Sequence, residues 1–68
     1  MNERIWLIWS TEHRAWWRRG TGYTRDAKQA GLFTRDEAET ICLEANRFSD
    51  RVEEFMVNAL QVEILLAN

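Results

Sequence analysis

The sequence predicts a small α+β domain, a β-hairpin and a third strand packed on one main helix, with a short C-terminal helix behind them. Three observations carry that expectation. Residues 4–9 and 14–18 are dense in β-branched and aromatic side chains, residues 34–47 repeat apolar positions with helical period behind a written-out N-terminus, and residues 53–57 return to strand composition.

The first strand, Arg4-Ile5-Trp6-Leu7-Ile8-Trp9, places Ile5, Leu7 and Trp9 on one face and Trp6 and Ile8 on the other. Both faces are apolar, which predicts a central strand or one covered on both sides. Ser10-Thr11-Glu12-His13 has the polarity and length of a hairpin loop, and Arg14-Ala15-Trp16-Trp17-Arg18 returns as the second strand. Cross-strand Trp pairs, or Trp against Ile, are expected to hold the hairpin. Alternation allows only one of Trp16 and Trp17 to face outward. Residues 19–24 follow as a glycine loop in which Gly20 and Gly22 permit positive φ. Residues 24–30 then suit a short helical turn ended by Gly31 as its C′ residue.

The main helix has its start spelled out. Thr34 is an N-cap and Glu37, three residues on, completes a capping box, with Phe33 outside the cap positioned to staple onto Ala38. Ala38, Ile41, Cys42 and Ala45 form the stripe expected to face the core. Beyond Arg47 two patterns compete. Val52, Phe55, Met56, Ala59 and Leu60 have helical spacing, and Asp50 with Glu53 mimics a capping box. Alternatively residues 53–57 form a strand, followed by a short helix capped by Asn58 and Gln61 that turns Val62, Leu65 and Leu66 inward. The strand and short helix are favoured, because two strands need a third to make a stable sheet beside one helix.

A chain of 68 residues has room for one domain. Typical values put its stability at roughly 3–10 kcal/mol, so four Trp, or a homodimer that completes the small core, would help. Cys42 is the only cysteine and sits on the inward stripe, which predicts a buried, unreactive thiol and a reducing cytoplasm. The apolar run from Ile5 to Trp9 is too short for a signal peptide or a membrane span. Charge is divided. Residues 1–35 carry seven Lys/Arg against three Asp/Glu, net +4, and residues 36–68 carry two against eight, net −6.

Trp9, Glu12, Trp16-Trp17, Gly22-Tyr23-Thr24, Ala30-Gly31, Phe33-Thr34, Glu37-Ala38 and Ile41 together resemble a pattern found in small uncharacterised proteins of tailed bacteriophages and prophages. In those proteins a short Met-Val-Pro strand often follows; here the third position is Asn58. The resemblance covers about two-thirds of the chain. It implies a phage or prophage source and a non-structural accessory gene acting in the host bacterial cytoplasm, and it brings no active site with it.

The residues themselves assemble no catalytic or metal constellation. His13 and Cys42 alone do not make a zinc site, and His13 suits an exposed hairpin position. Asp36, Glu37 and Glu39 are what a helix dipole favours in a first turn. Gly20-Thr21-Gly22 lacks the rest of any phosphate-binding fingerprint. No enzyme activity, metal or cofactor is expected.

Two surfaces are left as candidates. Arg14, Trp16, Arg18, Arg19, Tyr23 and Arg25 interleave cations with aromatic rings, as single-stranded nucleic-acid binders do and as protein-binding hot spots do. On the main helix, Asp36, Glu39 and Glu44 surround Leu43, an apolar residue on an acidic face, a combination that suits a basic groove on a partner. The function expected is a non-enzymatic binding protein that engages a host protein complex, of the anti-defence, anti-CRISPR-like inhibitor kind. The alternative is a single-stranded nucleic-acid binder using the Trp/Arg hairpin.

Overall fold

A computed structural model describes residues 3–47 and 52–61. It places the doubly apolar first strand, β1 (Trp6–Ser10), inside a four-stranded antiparallel sheet. Its neighbours are β2 (Ala15–Trp17) on one side and β4 (Glu54–Asn58) on the other, and β3 (Tyr23–Thr24) lies beyond β2. The expected hairpin and third strand are present, and β3 adds a fourth. Its two residues pair with Trp16 and Trp17 after the glycine loop has turned, with Gly20 at φ +88° and Gly22 at φ +91° and Arg18 N donating to Gly22 O. Two residues are too few for alternation to be visible in the sequence.

The register sets the faces. Trp9 stands opposite Trp16, and on the other side Leu7, Ile8 and Trp9 stand opposite Val57, Met56 and Phe55. Ile8, Trp6, Trp17 and Met56 therefore share the face on which the helix lies, and they pack with Phe33, Ala38, Ile41 and Cys42 into the core. Ile8 and Ala38 are completely enclosed; burying an isoleucine of this kind stabilises the fold by about 1.5–3 kcal/mol. Leu7, Trp9 and Trp16 take the opposite face, where Leu7 is also buried.

Helix α1 (Arg35–Asn46) follows the expected signals closely. Thr34 Oγ accepts from Glu37 N at 3.1 Å, and Glu37 Oε1 accepts from Thr34 N at 2.8 Å. The inward stripe departs from expectation at its last position: Ala38, Ile41 and Cys42 turn to the sheet, but Ala45 is exposed and Asn46 takes its place. The reason is polar. The Asn46 side chain reaches the start of β4 and bonds its backbone, which rotates the contact line by one residue.

Gly31 has a different purpose from the one its sequence position suggested. It does not adopt the positive φ of a C′ residue. A Cβ there would stand 2.5 Å from Arg19 N, and Gly31 N donates to Trp17 O at 2.9 Å, so glycine is needed for close approach of two main chains. The helical turn before it is a short 3₁₀ segment, Ala27–Gln29, capped by Asp26. Residues 32–33 then run beside β1, where Trp6 and Phe33 exchange hydrogen bonds of 2.9 and 2.8 Å.

After the strand, residues 59–61 are helical and Leu60 N donates to Asn58 Oδ1 at 2.9 Å, the capping expected of Asn58. The inward packing expected of Val62, Leu65 and Leu66 lies outside the described residues, as does Asp50. Among the described residues no helix is long and apolar enough to cross a membrane.

Candidate functional site

The interleaved Arg/aromatic set does not come together as one surface. Trp16 faces away from α1 and meets Trp9 edge to face at 4.9 Å. Tyr23 lies on the other side of the sheet, stacked on His13 at 4.0 Å and edge-on to Trp17 at 5.8 Å. Trp17 is therefore the inward tryptophan and Trp16 the outward one. Arg14 sits in the hairpin turn at φ +53°, while Arg18 and Arg25 are exposed.

Arg19 is committed to the fold. Its guanidinium donates to both Glu37 carboxylate oxygens at 3.2 Å and to Leu32 O at 3.0 Å, and lies over the Phe33 ring at 5.1 Å. These bonds, then the Thr34 N–H and the charges of Arg19 and Arg4, hold the Glu37 carboxyl down at about 2. The glycine loop is thereby strapped to the N-terminus of α1.

The acidic helix face is also divided. Asp36 borders a hollow shared with Arg19, Gly20, Thr40 and Ile41. Glu39 and Leu43 lie on the other flank, and Glu44 lies next to Arg47 with 3.7 Å between charges. Glu39 is paired with Arg35 at 3.1 Å. Leu43 is 74% exposed, and it forms the lip of a groove of about 540 Å³ between α1 and β4. Cys42, Val52, Phe55 and Met56 line that groove, with Glu39, Asn46 and Glu54 as its polar members. Val52 is exposed as well, next to Leu43, while the exposed Phe55 side chain takes the Trp9 face of the sheet. Exposed apolar side chains gathered at one place, rather than scattered, mark an interaction surface.

Glu54, the buried end of this groove, has no counterpart in the sequence expectations. Its carboxylate accepts from Ser10 Oγ and from Trp17 Nε1, and Ser10 Oγ in turn accepts from His13 N at 3.2 Å. A buried anion thus ties β4 to both strands of the hairpin. The chain separations are 44 and 37 residues, so no local pattern announces the contact. Burial, and then the Glu54 charge, push the Cys42 thiol up, which makes it a poor nucleophile. Among the described residues no three His, Cys, Asp or Glu side chains gather as a metal site.

No protein family, curated protein or solved structure matches the chain. The geometry of the groove is therefore what bears on function.

Proposed function

We propose that this chain is a non-enzymatic binding protein that engages a partner protein through the groove between α1 and β4. The observation that carries the reading is Leu43, an apolar side chain left in solvent at the lip of an apolar groove whose polar members include Glu39 and Glu54. The apolar lining would supply the buried contact, and the acids would steer a basic segment toward it. In this reading the partner lies in the bacterial host cytoplasm, and a defence complex blocked by occupancy is the biological outcome.

Affinity capture from a bacterial host lysate, with and without nuclease, tests this. A stoichiometric protein complex retained after nuclease and lost on Leu43→Lys supports the groove. Material that disappears with nuclease would move the site to Trp16, Arg14 and Arg18 and make the protein a single-stranded nucleic-acid binder.

A further inference from the structure

Among the described residues β4 is an outer strand of the sheet, and its edge lies beside that groove. Glu53 O accepts from Thr11 N and Ala59 N donates to Ile5 O, both at 2.8 Å. Residues of an antiparallel ladder alternate between facing the partner strand and facing away. Phe55 and Val57 therefore also turn their main-chain groups to β1, while Glu54, Met56 and Asn58 turn theirs to the open edge.

Glu54 is already served. Asn46 Oδ1 accepts from Glu54 N at 3.0 Å and Asn46 Nδ2 donates to Glu54 O at 3.0 Å, the two bonds that a neighbouring strand's peptide group would make. Met56 and Asn58 are the next positions along, and among the described residues no strand of the sheet lies beyond them. Edge strands are ordinarily blunted by a lysine, a proline, a bulge or very short length. The opposite edge, β3, has two residues. The centre of β4 is Phe55-Met56-Val57, with none of these devices.

We propose that the partner binds by strand addition. An extended segment with alternating basic and apolar side chains lies along β4, bonding Met56 and Asn58 through its main chain. Its apolar side chains enter between Leu43, Val52 and Met56, and a cation of the segment meets Glu39 at the groove's rim. This rests on the groove being the partner site. A second copy of the chain is the poorer occupant. Antiparallel pairing about Met56 would set Glu54 against Asn58 of the other copy, and the edge groups of Glu54 are taken by Asn46.

The test uses the full chain and two blocked peptides of equal charge. One alternates lysine and valine; the other is a basic amphipathic helix with leucine along one face. Affinity is measured together with amide hydrogen exchange at Met56 and Asn58. Strand addition predicts binding of the alternating peptide and slowing of both amides by about tenfold or more at saturation. N-methylation of alternate peptide amides should weaken binding about tenfold. Binding of the helical peptide with Met56 exchange unchanged overturns strand addition and leaves the groove as the partner site. Binding of neither peptide overturns it too, while Leu43-dependent protein capture would still stand for the groove. Slowed exchange that appears on concentrating the protein alone would give the edge to a second copy, and overturns it as well.

Discussion

The Asn46 side chain meets Glu54 as a strand would, accepting from its N–H and donating to its C=O at 3.0 Å each, while also accepting from Glu53 N at 2.8 Å. One carboxamide joins the last turn of α1 to the first residues of β4. Without it three main-chain groups at the helix–sheet junction lose the hydrogen bond Asn46 makes to each. Asn46→Ala should lower stability by about 1–3 kcal/mol, read as a shift of the urea midpoint. Asn46→Asp keeps the acceptor and loses the donor, so it should fall between the two.

The Arg19–Glu37 strap makes stability depend on pH in a defined direction. The Glu37 carboxyl is held at about 2 in the fold against an ordinary value of 4.5. A carboxyl lowered on folding contributes fully above its unfolded value, and the contribution is lost as pH falls from about 4.5 toward about 2. Glu37→Gln should flatten the pH dependence of the urea midpoint across that window. Because the pair is partly exposed, raised salt should flatten it in the wild type as well.

Gly31 and Gly20 should respond differently to alanine. At Gly31 a Cβ would be 2.5 Å from Arg19 N, a main-chain atom that cannot step aside alone, and overpacking of this kind costs about 1–3 kcal/mol. At Gly20 the added methyl meets nothing within 4 Å but must adopt φ +88°, at a cost of about 1 kcal/mol. Thermal unfolding of the two variants should rank Gly31→Ala below Gly20→Ala.

These sites differ in how much of them could be read from the residues. Thr34, Glu37 and Phe33 announce α1 because capping chemistry is local, and the structure repeats it bond for bond. The strand at Glu54–Asn58 was visible only as one of two patterns, since Val52, Phe55 and Met56 fit a helix equally until β1 is there to pair with. Leu43 was legible as an apolar residue among acids. The groove beside it was not, because Val52, Phe55 and Met56 reach it only through the fold. The division of the Arg/aromatic set was hidden for a similar reason: pairing of Trp17 with Tyr23 sends Tyr23 to the side opposite Trp16.

Trp17 and Glu54 make a further polar contact, 37 residues apart in the chain. Trp17→Phe preserves the ring that packs on the core and removes the Nε1 donor, leaving the buried Glu54 carboxylate with Ser10. Hydrogen bonds to a charged group contribute about 1.5–3 kcal/mol, so a loss of that size is expected in urea unfolding. Glu54→Gln in the same background should recover part of it, because a neutral amide is cheaper to bury than an under-bonded anion.

The most direct measurement is the comparison of wild type and Leu43→Lys in protein capture from nuclease-treated host lysate, with their urea midpoints measured alongside. Leu43 is largely in solvent, so a midpoint shift below about 0.5 kcal/mol is expected, together with loss of the captured protein. Equal capture of the same protein by both, at equal stability, would contradict the groove as the binding site.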